Sequence, residues 1–327
     1  MIITCIYHAN CVDGFTAAWA VYHATHGAAK TRFIPASYGD APPPVVNYAG
    51  THVVIVDFSY PRDVLEDIAQ RALSVVVLDH HKTAAQNLDG LTPPAVNWES
   101  HLEEWAERAG TGHTTLCADF DMDRSGAQMA WDFFHDASRP PLVDYVGDRD
   151  LWAWKLPHSR AVSAYLSSWD FDFGRWDQIA AKIDGAMFPQ LCKEGSGILR
   201  KNRRDIAAQI EASGRDMVIG GHRVPVANMP PFWASDGAGS MAADMPDAPF
   251  AATYYDGPKG RAFSLRSRGD FDVSVIAEGY GGGGHKAAAG FLRPHGWEGD
   301  SHGITITGWP DNIKVGIDLA KQEGAGT

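Results

Sequence analysis

Short, uninterrupted apolar runs that each end on an acidic residue or a histidine are the feature that most limits the fold of this chain. Three runs share this property: residues 2–7 before His8, residues 53–56 before Asp57, and residues 74–78 before Asp79. Segments of helical length separate them. Continuous apolar strands alternating with helices are typical of a parallel sheet covered on both faces, so the pattern predicts an α/β fold.

The length of the chain predicts more than one compact unit. Its 327 residues exceed what one ordinary hydrophobic core organises. A long polar helical pattern near residue 200 is followed by short strands broken by glycine and proline. We therefore predict an N-terminal parallel-sheet domain at residues 1–185, a helical linker at 186–215, a smaller α/β domain at 216–310 and a tail at 311–327. Within the first domain, residues 61–72 are predicted to form an amphipathic helix with Ser59 as its cap.

Composition and charge exclude several function classes. The net charge of −12 argues against wrapping a long nucleic acid, because such binding depends on many basic residues at phosphates. The four cysteines have no paired spacing for a structural zinc site or a disulfide framework. The N-terminus has no signal-peptide pattern, and no apolar run reaches the ~18 residues of a membrane span. A cytoplasmic protein that does not bind membranes is the expectation.

The polar residues that end the apolar runs predict a metal site. Carboxyl ends of parallel strands share one edge of the sheet, so His8, Asp57 and the sequence Asp79, His80, His81 should converge there. Imidazoles mixed with carboxylates suit a divalent ion such as Mn²⁺, with Mg²⁺ or Co²⁺ as alternatives.

Six motifs in a fixed order identify a family resemblance. They are YHANCVDGF, VVIVDFS, LDHH and YVGDRD, followed by SLRS and GGGGHKAAAGF. Together they resemble the DHH phosphoesterase superfamily with its DHH-associated C-terminal domain, over residues 1 to about 292. The resemblance implies a two-domain enzyme with two Mn²⁺ ions in the N-terminal domain and a cleft closed by the C-terminal domain.

The resemblance also implies roles for the metal-site residues. His8 and Asp57 would hold one ion, and Asp57 would bridge to a second. The second ion would be held by Asp13, Asp57, His80 and Asp148, with Asp150 as the reserve for Asp148. His81 would lie near the phosphate as a catalytic residue, and Asp79 would orient the histidines.

The chain departs from the family at its first motif. Many members carry an aspartate two residues before the one that matches Asp13, and this chain has Cys11 there. The first ion is thus one hard ligand short unless Asn10 or Cys11 substitutes.

The glycine-rich motif of the second domain predicts an anion site. Consecutive glycines let backbone N–H groups approach an anion, and a helix expected after them would add its positive end. The predicted substrate-binding residues are Arg266, Ser267, Gly282, Gly283, Gly284, His285 and Lys286. By the resemblance, Arg266 and His285 belong to a recognition site facing the metals.

These observations predict a Mn²⁺-dependent phosphoesterase that acts on a small phosphorylated substrate. A short oligonucleotide, a dinucleotide or a nucleoside bisphosphate is expected, and a pyrophosphatase or exopolyphosphatase is the enzyme alternative. A third hypothesis is a nucleotide-binding protein in which Cys11 has abolished catalysis. The sequence leaves a homodimer open. Each motif taken singly also has a structural interpretation: Asp148 or Asp150 as a solvated carboxylate, and the glycines as a linker.

Overall fold

A computed structural model of the chain describes residues 1–108 and 116–300. It divides into two compact units, Met1–Leu199 and Arg200–Thr327. The predicted tail, residues 311–327, lies outside the described residues. Among those described, no helix has the length and apolar character needed to cross a membrane.

Unit 1 alternates strands and helices along the chain. Its strands are β1 (Ile2–His8), β2 (Lys30–Ala36), β3 (His52–Val56), β4 (Ser74–Asp79) and β5 (Leu116–Phe120). Its helices are α1 (Val12–Thr25), α2 (Arg62–Ala69), α3 (Lys82–Asn87), α4 (Trp98–Arg108), α5 (Gly126–Phe134), α6 (Pro141–Asp150), α7 (Ser159–Leu166) and α8 (Phe173–Ile183). Helix α9 (Phe188–Ser213) coincides closely with the predicted linker, and the division between the units falls inside it.

The five strands of unit 1 form one parallel sheet in the order β2-β1-β3-β4-β5. Alternate residues of β3 enter two different cores: Val54 and Val56 pack with α1, whereas Val53 and Ile55 pack with α2. Both faces are therefore covered, which explains why the two central strands β3 and β4 have unbroken apolar runs, at residues 53–56 and 75–78. The α/β prediction is confirmed.

Unit 2 is built on a mixed six-stranded sheet. Its elements are β6 (Arg215–Ile219), β7 (His222–Asn228), α10 (Ala234–Asp244), β8 (Phe250–Gly257), β9 (Gly260–Ser267), α11 (Val273–Gly279), β10 (Gly283–His285) and β11 (Ala288–Arg293). The strand order is β10-β11-β9-β8-β7-β6, and all pairs are antiparallel except β7 with β8.

Two local predictions were wrong. Helix α2 begins after Pro61 with no side-chain cap, so Ser59 does not cap it. The glycine run is followed by the β10–β11 hairpin, with Gly283 paired to Gly290, and no helix lies between residues 283 and 293. A Cβ at Gly282 would lie 2.1 Å from the carbonyl oxygen of Gly290, so this glycine is required by the close approach of two backbones. The expected helix N-terminus for an anion is therefore absent from this segment.

Candidate metal centre

The candidate metal centre lies at the carboxyl edge of the unit 1 sheet. His8 ends β1, Asp57 follows β3 directly, and Asp79 ends β4, which is followed by His80 and His81. Because β1, β3 and β4 are neighbours running in the same direction, their last residues meet at one edge. The predicted convergence of these side chains is observed.

Asp57 stands at the middle of the cluster. It is 1% exposed; its Oδ1 lies 3.1 Å from His80 Nε2 and its Oδ2 lies 3.4 Å from His8 Nδ1. Its backbone is left-handed (φ 56°), which aspartate tolerates better than most residues. Although burial opposes ionisation, the contacts with His8 and His80 hold the pKa of Asp57 well below its ordinary value. Asp57 is therefore an ionised carboxylate placed between two imidazoles.

One nitrogen of His80 meets three carboxylates. Its Nε2 lies 3.1 Å from Asp57, 3.3 Å from Asp150 and 3.9 Å from Asp13. Burial alone would lower the pKa of His80, but the charge of Asp150 and the contact with Asp57 raise it to about 10. The three carboxylates around His80 Nε2 favour a proton on that nitrogen. A divalent cation bound in its place would be stabilised by the same negative charges.

Asp13 is fixed by the start of helix α5. Its carboxylate accepts hydrogen bonds from the N–H groups of Gly126 (2.7 Å) and Ala127 (3.2 Å). The next N–H, that of Gln128, is bound by Ser125 in a capping box. Burial and the charges of Asp57 and Asp150 raise the pKa of Asp13 well above its ordinary value, and a bound cation would offset that repulsion.

Two glycines allow the backbone to close around the centre. A Cβ at Gly126 would lie 2.4 Å from Asp57 Cβ, and a Cβ at Gly14 would lie 2.4 Å from the carbonyl oxygen of His8. Both distances are shorter than contacts that real Cβ atoms make. Helices α1 and α5, which contain these glycines, can therefore pack directly against His8 and Asp57.

Two groups of ligand atoms share Asp57. One atom from each of His8, Cys11 and Asp57 lies within 4.8 Å of the others, and the same is true of Asp13, Asp57 and His80. Asn10 is exposed and has left-handed backbone (φ 54°), so the turn explains its presence without a ligand role.

Asp79 controls the orientation of His81. The carboxylate is fully buried, and its Oδ1 accepts from His81 Nδ1 at 2.7 Å and from the N–H of His80 at 2.8 Å. The contact with His81 holds the pKa of Asp79 below its ordinary value despite burial. Hydrogen bonding at Nδ1 sets the direction in which the His81 ring presents its other nitrogen.

The structure brings Asp150, and not Asp148, to the centre. Asp148 Oδ1 accepts from the N–H of Lys155 (2.7 Å) and its Oδ2 from that of Leu156 (3.2 Å). Residues two apart on a helix point about 200° apart, so the two carboxylates of α6 cannot face the same site. Asp148 holds the loop after α6, and the predicted order of preference between the two is reversed.

The donor atoms at this edge fit divalent metal ions. Asp57 Oδ2 and His8 Nδ1 are buried, and neither completes a hydrogen bond within residues 1–108 and 116–300. Unsatisfied buried polar atoms are costly, and bonds to a cation remove that cost. Carboxylates and imidazoles that share one bridging aspartate match the donor set of a two-ion centre.

Comparisons with known proteins agree with this architecture. A solved structure of a DHH domain, described as belonging to a member of a family of ribosomal proteins, matches with a TM-score of 0.50 at 15% identity, over 89% of this chain and 82% of the other. This chain has the DHH fold. The predicted resemblance is thereby confirmed at the level of the fold.

The chain is also similar to two other solved structures and to one sequence relative. A pGpG-specific phosphodiesterase of Vibrio cholerae has a TM-score of 0.39 at 11% identity, covering 90% of this chain and 94% of that one. An exopolyphosphatase-related protein of Bacteroides fragilis has a TM-score of 0.43 at 13% identity, covering 93% and 88%. An uncharacterized protein of Acanthamoeba polyphaga mimivirus is 26% identical over 306 residues, covering 87% of this chain but only 66% of the relative. No protein-family model matches the chain.

Sequence reasoning missed one aromatic residue, Tyr38, which lies beside His8 and His81. The Tyr38 ring lies 5.7 Å from that of His8 and 5.6 Å from that of His81, edge to face, and the residue is 49% exposed. It belongs to the loop after β2, where a single tyrosine among turn residues gives no signal in the sequence.

The residues of unit 2 that were predicted to bind substrate lie on different elements. Arg266 and His285 both pair with Ala288, one from each side, so they share a row across three strands and lie about 10 Å apart. Arg266 also donates to Ser235 Oγ at 2.5 Å. Ser267 Oγ donates to the carbonyl oxygen of Phe271 at 2.7 Å.

Lys286 and the glycines have structural partners in unit 2. Lys286 pairs with Asp270 at 2.9 Å on the surface. Gly283 and Gly284 lie in the β10 ladder, and Gly282 meets Gly290 as described above. The roles of Arg266 and His285 in substrate binding stay a prediction.

Proposed function

We propose that this chain is a divalent-metal-dependent phosphohydrolase that cleaves phosphoester bonds in short nucleotides. The observation that carries the proposal is the pair of ligand groups that share Asp57: His8 and Cys11 on one side, Asp13 and His80 on the other. Ions bound there would supply an activated water and would neutralise charge on a phosphoryl group.

Each residue at the edge has a defined task in this proposal. Asp57 would hold both ions, since its carboxylate lies between His8 and His80 and its backbone is left-handed. Asp13 is aimed by the N–H groups of α5, and Asp150 completes the second group beside His80. His81, oriented through Nδ1 by Asp79, binds the phosphate or moves a proton at the leaving oxygen.

One feature supports a substrate that carries a base, and a second supports a short one. Tyr38 offers an exposed aromatic ring beside His8 and His81, and aromatic rings stack on nucleobases. The net charge of −12 favours short ligands over long strands. Dinucleotides, short oligonucleotides and nucleoside bisphosphates meet both conditions, with Mn²⁺ as the proposed activating ion and Arg266 and His285 as proposed substrate contacts.

The test is hydrolysis by metal-stripped protein to which Mn²⁺ is restored. The panel contains a dinucleotide, a nucleoside bisphosphate, a cyclic dinucleotide, pyrophosphate and tripolyphosphate. His81→Ala should abolish cleavage, whereas His26→Ala, at an exposed histidine at the end of α1, should not change it. Cleavage of pyrophosphate or tripolyphosphate alone would favour the pyrophosphatase alternative. Tight nucleotide binding without turnover at any Mn²⁺ concentration would favour the binding protein.

Tyr38 provides a second test of the substrate class. If its ring stacks on a base, Tyr38→Ala should raise KM for a dinucleotide about fivefold or more, because such stacking contributes about 1–3 kcal/mol. Tyr38→Phe retains the ring and should keep most of the affinity. An equal effect of Tyr38→Ala on KM for pyrophosphate would contradict base stacking.

A further inference from the structure

The two ligand groups at the sheet edge differ in chemistry. Besides the shared Asp57, one group offers an imidazole and a thiol, from His8 and Cys11, whereas the other offers the carboxylate of Asp13 and the imidazole of His80. Asp150, which contacts His80, adds another oxygen donor to the second group. Thiolates select borderline and soft ions, whereas carboxylates suit Mg²⁺ and Mn²⁺.

We propose that the His8–Cys11–Asp57 group binds Zn²⁺ through the Cys11 thiolate, so that the centre holds two different metals. The inference rests on the proposed function, since it assumes that the edge is a metal centre. The oxygen-rich group, Asp13 and His80 with Asp57, keeps Mn²⁺. The thiol of Cys11 gives up its proton as the Zn–S bond forms.

The position of Cys11 supports a ligand role. It is the N-cap residue of α1, where Ser, Thr, Asp or Asn is favoured, yet its side chain makes no capping hydrogen bond. The chain instead brings its sulfur within 4.8 Å of ligand atoms of His8 and Asp57.

The neighbours of Cys11 supply an independent reason. Asp57 is 1% exposed, and its Oδ2 completes no hydrogen bond within the described residues. His8 Nδ1, 3.4 Å from that oxygen, is equally buried and equally without a hydrogen bond in the same ranges. These two atoms and the sulfur form a three-donor set, which leaves a fourth position for water or substrate, as catalytic zinc sites do.

The other cysteines make useful controls. Cys5, Cys117 and Cys192 are buried, and Cys192 packs in the apolar core of unit 1. Neither Cys5 nor Cys192 belongs to a ligand group within the described residues. Cys192→Ala therefore removes one thiol without touching the centre.

The experiment is a Co²⁺ titration of metal-stripped full-length protein, followed by absorption. Cobalt replaces zinc, and a thiolate ligand gives a near-ultraviolet charge-transfer band in addition to the visible bands of the ion. We expect that band in the wild type and in Cys192→Ala. In Cys11→Ser it should disappear while the visible bands persist.

A competition measurement provides the magnitude. In Cys11→Ala, which removes the sulfur and supplies no other ligand, affinity for Zn²⁺ should fall more than about tenfold, because even residues that only orient a ligand change affinity about 10- to 100-fold. The thiolate assignment is overturned if the wild type binds Co²⁺ without a charge-transfer band, or if the band survives in Cys11→Ser. Either result would leave the proposal of a metal centre unaffected. Failure of the wild type to bind Co²⁺, Zn²⁺ or Mn²⁺ overturns the proposed function as well.

Discussion

Replacing Gly126 with alanine should disable the centre without adding any group that binds or repels metal. The new Cβ would lie 2.4 Å from Asp57 Cβ, 2.8 Å from its Cα and 2.9 Å from its Cγ. Ordinary van der Waals contact begins near 3.4 Å, so Asp57 and the start of α5 must separate by about 1 Å.

The expected magnitude follows from that displacement. Misplacing a catalytic group by about 1 Å can cost about 100-fold in rate, so kcat/KM of Gly126→Ala should fall by about that factor. Overpacking of this kind typically costs about 1–3 kcal/mol of unfolding free energy. For a unit of this size, each kcal/mol lowers the unfolding temperature by about 2–4 °C.

The assay combines turnover, Mn²⁺ affinity by calorimetry and thermal unfolding, with Gly197→Ala as the matched control. Gly197 lies inside α9 with nothing within 4 Å of an added Cβ, so this variant should keep full activity and be as stable as the wild type or slightly more so. Wild-type metal affinity and turnover in a folded Gly126→Ala protein would refute the central position given to Asp57.

Three further outcomes are expected. Asp150→Asn should weaken Mn²⁺ binding and turnover. Asp148→Asn should keep the metal affinity but lose about 1–3 kcal/mol of unfolding free energy, because one loop N–H loses its acceptor. The reverse pattern in calorimetry would restore Asp148 as the ligand. Chelation should lower stability, since an ion at about 100 times its Kd contributes about 2.7 kcal/mol, and unchanged thermal unfolding in chelator would contradict a bound ion. Burial holds the pKa of His52 and of His101 at about 4, below the ordinary value of about 6.5, so the unfolded chain binds more protons between those values. The contribution of each histidine to the free energy of unfolding should therefore be fully present above pH 6.5 and should fall by up to about 3 kcal/mol as the pH drops toward 4. The free energies of unfolding in urea of the wild type and of His101→Gln should diverge between pH 6.5 and 4. Parallel curves over that range would contradict this pH dependence.

The strands and their terminal residues were predictable because burial on both faces leaves a clear signal. Each of the three apolar runs became a strand of the parallel sheet, and His8, Asp57 and Asp79 took the edge positions that the pattern requires. The fifth strand was missed, because β5, with the sequence LCADF, mixes an acidic residue and small residues into a short segment.

The choice between Asp148 and Asp150 was not predictable from their spacing. Both belong to one turn of α6, and their directions depend on how that helix packs against the sheet.

The partners of Asp13 were not predictable either, because its two N–H donors lie more than a hundred residues further along the chain. The capping box of Ser125 and Gln128 could have shown where α5 begins, but not which carboxylate would meet it.

The hydrogen bond from the Gly126 N–H to Asp13 spans 113 positions of sequence. Its two ends are made at different times, since synthesis proceeds from the N-terminus at about 5–20 residues per second. When Asp13 leaves the ribosome, it has neither the helix that orients it nor the Asp150 that completes its group. If the proposed metal centre is correct, ion capture is an event of the finished unit, and the metal that enters is the one available to the folded protein rather than to the nascent chain.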